Sequence, residues 1–136
     1  MKTAMRKLFA YGTLQLPEVM RAVTGRDFPA RPARLPGYAR RRLRGRSFPG
    51  ICPAPGASAD GLLFDGIDAQ TLARLDAFED DFYRRETLPV FTPDGAAWAA
   101  EVYVIRAECL GLLLPEEWSL DEFRRSQLQG FLLRHE

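Results

Sequence analysis

Two segments far apart in the chain carry residue types that can do chemistry together. Tyr11-Gly12-Thr13-Leu14 follows the apolar run Lys7-Leu8-Phe9-Ala10 and precedes a segment opened by Pro17, so a strand ends there and a helix starts soon after. Gly12 lets a ligand approach the main chain without meeting a Cβ, and consecutive N–H groups at such a junction can form an anion-binding concavity. Glu79, at the end of Leu75-Asp76-Ala77-Phe78-Glu79, supplies a carboxylate able to shuttle a proton. Peptide donors for a developing oxyanion, joined to such a carboxylate, make an enzyme that needs no cofactor.

Each half also has a plainer reading. A strand followed by Gly and a small residue is ordinary turn chemistry, and Glu79-Asp80-Asp81 is an acidic run of the kind usually solvated at a helix end. Acidic groups there oppose the helix dipole, so helical stability does not account for them. If Glu79 points into a pocket, desolvation and its two neighbouring carboxylates raise its pKa toward neutrality. Spacing to Tyr83 puts a hydroxyl on the same face if the helical turn continues. Arg40, Arg41, Arg42, Arg44 and Arg46 form the competing signal, a basic stretch able to track phosphates. In an extended strand Arg40, Arg42, Arg44 and Arg46 share one face, which a solvated or edge-protecting strand explains, and no aromatic residues interleave to stack bases. Tyr103 reads as a core residue of a strand, and Cys52 and Cys109 have no basic neighbour to activate a thiol.

The elements that must position these residues follow from patterning. At 136 residues the chain fits one domain, 1–136, that buries roughly two-thirds of its unfolded surface. A net charge of +1 gives no field for nucleic acid or an anionic membrane. No signal peptide or membrane span is visible, which points to a cytoplasmic protein, and two cysteines with a lone His135 make no metal site. A strand is expected over about Met5 to Tyr11, then a helix over Leu16 to Val23 with Pro17 in its first turn and Gly25 closing it. Phe28 to Phe48 suits bent strands, and the Pro- and Gly-rich Phe48 to Gly56 reads as a surface loop. Gly61 to Ile67 reads as a buried strand, with Asp68 capping a helix from Ala69 to about Phe78. Asp94-Gly95 between Thr87–Thr92 and Ala97–Ile105 marks a hairpin. Ser119 and Glu122 form a capping box for a closing helix striped by Leu120, Phe123, Leu128, Phe131 and Leu132. The order predicts an α+β fold in which about six strands curl into a partly closed barrel, with about three packed helices and a cavity at one mouth.

Taken in order along the chain, Phe9-Ala10-Tyr11-Gly12-Thr13-Leu14, Gly37-Tyr38, Arg46-Ser47-Phe48-Pro49, Leu75-Asp76-Ala77-Phe78-Glu79 with Tyr83 and Arg84, and Ala100-Glu101-Val102-Tyr103-Val104 carry a resemblance. The chain resembles the γ-glutamylcyclotransferase-like superfamily, in particular the branch similar to plant avirulence-induced-gene proteins. The resemblance implies a small mixed barrel with helices around it and a γ-glutamyl compound cyclising to 5-oxoproline with release of its amine or amino acid. It implies that Tyr11, Gly12, Thr13 and Leu14 bind substrate, that Glu79 is the catalytic carboxylate, and that Tyr83 and Tyr103 line the pocket. No metal or other cofactor is implied. The expected partner is a small γ-glutamyl substrate, with neither nucleic acid nor membrane expected.

This sequence departs from the family pattern in two places. Asp80 and Asp81 follow Glu79 where many relatives have Gly, and Thr13-Leu14-Gln15 replaces the Ser-Asn of the glutathione-pathway branches. The second departure points toward a small γ-glutamylamine-type or other compound and away from a peptide of that pathway. A non-catalytic relative that binds a metabolite through the same loop, and a nucleic-acid-associated protein acting through Arg40 to Arg46, are the rival readings.

Overall fold

The computed structural model describes residues 5–135, the side chains of Asp80 and His135 excepted. The first four residues and the His135 side chain, used above in reading targeting and metal binding, therefore lie outside the described residues. Strand β1 (Arg6–Ala10) leads through a 3₁₀ turn (Thr13–Gln15) into helix α1 (Pro17–Thr24). Strands β2 (Ala30–Arg42) and β3 (Pro49–Ile67) follow, then α2 (Ala69–Glu79) and a second 3₁₀ turn (Asp80–Phe82). Strands β4 (Tyr83–Phe91) and β5 (Ala97–Ile105) precede a third such turn (Ala107–Leu112), α3 (Leu120–Ser126) and α4 (Leu128–His135).

Five strands, one fewer than expected, close in the order β1-β3-β2-β4-β5. β1 runs antiparallel to β3 and parallel to β5, which closes the sheet on itself. The count drops because the Pro- and Gly-rich segment expected to be a loop is the first half of β3. Pro49 to Pro53 pair with Arg42 to Tyr38, pairing resumes at Ser58 opposite Pro36, and residues 54–57 stand out of the register between them. The irregularity sits where Gly37 and Gly56 adopt φ of 83° and 85°, backbone that other residues rarely take. Turn chemistry there marks a bulge inside two long strands.

Local signals hold at the helices. Gly25 (φ 76°) closes α1 by donating its N–H to the Arg21 carbonyl at 2.8 Å. Asp68 accepts the Thr71 N–H at 2.8 Å to start α2, and Ser119 Oγ accepts from the Glu122 N–H to start α3. The other half of that capping box is diverted, since the Glu122 carboxylate pairs with Arg42. The single closing helix expected is broken at Gln127 into α3 and α4, and Phe123 and Phe131 still bury together with ring centroids 5.4 Å apart.

The alternation along each strand divides the core in two. Phe9, Leu35, Ile51, Leu63, Val90 and Val102 fill the barrel interior, whereas Leu8, Ile67, Leu75, Tyr103 and Phe131 face the helices outside it. The arginine stretch does not continue as one extended face. β2 stops at Arg42, and Leu43 is buried and bridges to Leu113. Arg40 donates to the carbonyls of Tyr11 and Asp60, and Arg42 to Glu122 and the Glu117 carbonyl, so both serve internal contacts. Among the described residues no helix is long and apolar enough to cross a membrane.

Gly61 shows how closely β1 and β3 approach just before the Tyr11 segment. A Cβ there would lie 2.3 Å from the Ala10 carbonyl oxygen and 2.9 Å from the Phe9 ring. Gly61→Ala is expected to destabilise the fold by about 2 kcal/mol or more, because backbone cannot yield as a flexible side chain does. Chemical denaturation measures this, and an unchanged midpoint would contradict the packing described.

Candidate active site

A cavity of about 820 Å³ opens at the end of the barrel where β1 and β2 finish and β3 and β4 begin, a size suited to a metabolite. Its walls include every site residue expected from the sequence: Tyr11, Gly12, Thr13, Leu14, Glu79, Tyr83 and Tyr103. Strand β1, the 43–49 turn, the end of α2 and α4 supply much of the remainder. Two sequence-distant segments thus share one hollow.

The loop half is built by the handover from β1 to α1. Gly12 and Thr13 carbonyls accept the N–H groups of Gln15 and Leu16 at 3.1 Å, and the Tyr11 carbonyl accepts from Arg40 at 2.9 Å. Among the described residues, however, no protein group accepts the N–H of Gly12, Thr13 or Leu14. Three successive main-chain donors are left for whatever occupies the cavity. A Cβ at Gly12 would lie 3.0 Å from Pro49 Cγ, tighter than ordinary packing, so the proline ring would have to yield.

A sequence model of the family "Gamma-glutamyl cyclotransferase, AIG2-like" matches residues 8–120. The chain belongs to this family. It is 35% identical over 126 residues to AIG2-like protein C of Arabidopsis thaliana, covering 92% of this chain and 73% of that protein. The solution structure of another Arabidopsis thaliana protein superposes with a TM-score of 0.74 at 28% identity, over 96% of this chain and 87% of that one. A solved γ-glutamyl cyclotransferase shares the fold with a TM-score of 0.68 at 19% identity, over 76% of this chain and 68% of that one.

In this family member the carboxylate half is Glu79. Among the described residues no hydrogen bond or ion pair reaches it, and burial pushes its carboxyl up to about 8, with the Asp76 carboxylate adding to the rise. The residue keeps partial exposure because the surface it presents faces the hollow. The neighbouring charge differs from the expectation. Asp81 is exposed, the Asp80 side chain lies outside the described residues, and Asp76, one helical turn earlier, is the group that acts.

The tyrosines are held by the protein. Tyr11 donates its hydroxyl to the Tyr103 carbonyl at 2.5 Å, Tyr103 to Asp76 Oδ1 at 2.7 Å, and Tyr83 to the Pro49 carbonyl. Burial raises all three phenol pKa values, so these hydroxyls stay protonated. Tyr83 is not the helical companion of Glu79 that spacing suggested, because α2 ends at Glu79 and Tyr83 opens β4.

Sequence reasoning missed Asp76, Arg85 and Glu101. Asp76 accepts from Tyr103 and, at 2.9 Å, from Arg85 Nε, while Arg85 also pairs with the buried Glu101. Charges of opposite sign at these positions were visible, but only folding brings them together. Among the described residues no group of three or more His, Cys, Asp or Glu side chains could hold a metal ion.

A carboxyl raised in the folded state binds a proton that the unfolded chain releases between about pH 4.5 and 8. Stability contributed by Glu79 is therefore full below pH 4.5, falls as pH rises, and levels off above pH 8. Unfolding free energies of wild type and Glu79→Gln should diverge in that direction across this window, and parallel curves would count against the burial described. Asp76→Asn removes a charge while keeping an oxygen for Tyr103, and it should lower the Glu79 titration midpoint followed by carboxyl-carbon NMR.

Proposed function

We propose that this protein is a cofactor-free γ-glutamyl cyclotransferase, releasing 5-oxoproline from a γ-glutamyl amine or amino acid. The observation that supports it most is that one cavity is lined by a carboxyl and three main-chain N–H groups that have no protein partner among the described residues. Family membership adds the reaction class.

The substrate carries its own nucleophile. Its α-ammonium gives a proton to the ionised Glu79, the freed amine attacks the γ-carbonyl carbon, and a five-membered ring closes through a tetrahedral intermediate. The N–H groups of Gly12, Thr13 and Leu14 hold the oxyanion or the substrate carboxylate as charge develops. The amide C–N bond then breaks, and Glu79 returns its proton to the departing nitrogen. The attacking nitrogen loses two protons between ammonium and lactam N–H, and the departing nitrogen gains two on leaving as an ammonium. Glu79 relays each in turn, ends as it began, and no other reagent is needed. Tyr83 and Tyr103 shape the wall, with their hydroxyls committed to Pro49 and Asp76.

Incubation with a panel of γ-glutamyl amino acids and γ-glutamylamines should yield 5-oxoproline. Glu79→Gln, nearly isosteric, should lower kcat by roughly 10² to 10⁴. Because the base must be ionised, kcat/KM should climb with pH through about 8 and then flatten. Wild-type turnover in Glu79→Gln would sink the assignment, and a γ-glutamyl ligand that binds but never cyclises would identify a metabolite-binding protein instead.

A further inference from the structure

Each N–H of Gly12, Thr13 and Leu14 belongs to a peptide unit whose carbonyl sits on the residue before it. A trans peptide points its C=O and N–H in opposite directions, so a bond that fixes the carbonyl also aims the N–H. No cis peptide occurs among the described residues. The Gly12 carbonyl accepts from the Gln15 N–H at 3.1 Å and from Gln15 Nε2 at 3.2 Å, which sets the Thr13 N–H. The Thr13 carbonyl accepts from the Leu16 N–H at 3.1 Å, which sets the Leu14 N–H. Those main-chain bonds come with the 3₁₀ turn. The Tyr11 carbonyl, which sets the Gly12 N–H, precedes the turn, and the donor that reaches it is Arg40 Nη1 at 2.9 Å.

Arg40 is well placed for this. Pairing of β1 with β3 ends at Ala10 opposite Leu62, and Arg40 Nη1 spans the divergence by donating also to the Asp60 carbonyl at 3.0 Å. The Arg40 side chain is only 16% exposed, whereas its ion-pair partner Glu117, at 3.7 Å, is 79% exposed and too well solvated to neutralise it. Tyr11 and Gly12 line the cavity and Arg40 does not. With the guanidinium behind the wall, the carbonyl it holds faces away from the hollow and the Gly12 N–H faces into it. A cation on a carbonyl oxygen also draws charge along the amide, which makes its N–H a stronger donor.

We infer that Arg40 is a positioning residue for the reaction, aiming the Gly12 N–H at the substrate and strengthening it from outside the cavity. This rests on the cyclotransferase reading and gives a role to one arginine of the basic stretch.

Kinetics of folded variants test it. Arg40→Gln should lower kcat/KM roughly ten- to a hundredfold, since one donor is misaimed and not deleted. A loss carried by kcat assigns the Gly12 N–H to the oxyanion, and one carried by KM assigns it to the substrate carboxylate. Arg40→Lys keeps the charge and should recover part of the loss. Burial and Asp76 set the Glu79 carboxyl, so the pH midpoint near 8 should stay where it is. Glu117→Gln breaks the ion pair without touching the Tyr11 carbonyl and should leave turnover unchanged. Wild-type activity in Arg40→Gln, no recovery with Lys, or an equal loss in Glu117→Gln overturns the inference while leaving the cyclotransferase intact. If wild type forms no 5-oxoproline, the Gly12 amide decides. Its nitrogen resonance reports hydrogen bonding at the Tyr11 carbonyl of the same peptide unit. In the free protein Arg40→Gln should move that resonance upfield and Arg40→Lys should bring it partway back, with Thr13 and Leu14 nearly still. A Gly12 resonance that does not move, or three that move together, defeats the aiming role. Should Arg40→Gln not fold, Arg40→Lys alone should still lower kcat/KM and displace the Gly12 resonance, and wild-type values of both would be contrary.

Discussion

Glu101 sits at the seam where β1 meets β5, opposite Leu8, with only 4% of its surface exposed. An unpaired carboxylate there would cost several kcal/mol, so the fold must bring donors to it. Thr87 donates at 2.8 Å, Arg6 at 3.3 Å, and Arg85 completes the set. Arg85 then reaches across to Asp76 on α2, which also takes the Tyr103 hydroxyl from the same face of β5. The neutralisation of one buried charge thereby fixes α2 against the barrel. Glu79 lies one turn further on, and its height above the barrel and the negative charge beneath it both follow from this chain of contacts.

The cavity is defined by groups the protein declines to satisfy. Buried polar atoms in native proteins almost always find partners, and three main-chain carbonyls beside the cavity do. The Tyr11 carbonyl is taken by Arg40, the Pro49 carbonyl by Tyr83, and the Tyr103 carbonyl by Tyr11. These wall carbonyls are consumed, while among the described residues the N–H groups of residues 12–14 and the Glu79 carboxyl have no protein partner. The leftover set is complementary to a ligand carrying an oxyanion or carboxylate at one end and a proton donor at the other. Tyrosine hydroxyls that act as struts keep the opening from collapsing onto it.

How much could be read beforehand depended on the range of the interaction. Gly25, Asp68, Ser119 and Asp94-Gly95 act within a few residues, and their turns and caps stand where local rules put them. The Tyr11 to Leu14 junction and the end of α2 were legible for the same reason, as places where an element must stop. Pro49 to Gly56 misled because proline and glycine report only that the chain bends or lacks a donor. Long pairing with β2 outweighs that signal on both sides of residues 54–57. Arg44 and Arg46 were misjudged because the burial of Leu43 against Leu113 ends the strand before them. Nothing local announces that Asp76, Arg85 and Glu101 meet, since each reads as an ordinary surface charge until the barrel closes.

A carboxyl that is mostly neutral near pH 7 looks ill suited to act as a base, yet the proposed substrate changes its state. An α-ammonium entering the cavity places a positive charge beside Glu79 in partly buried surroundings, where Coulomb attraction is stronger than in bulk water. That attraction lowers the carboxyl pKa from about 8, so the ionised form is selected by the ligand it will deprotonate. Once the ammonium has given up its proton the attraction vanishes, and the same desolvation again favours the protonated acid, ready to donate to the leaving nitrogen. The empty site therefore rests in its neutral form, and the burial that raises the pKa drives the second proton transfer after the substrate has driven the first.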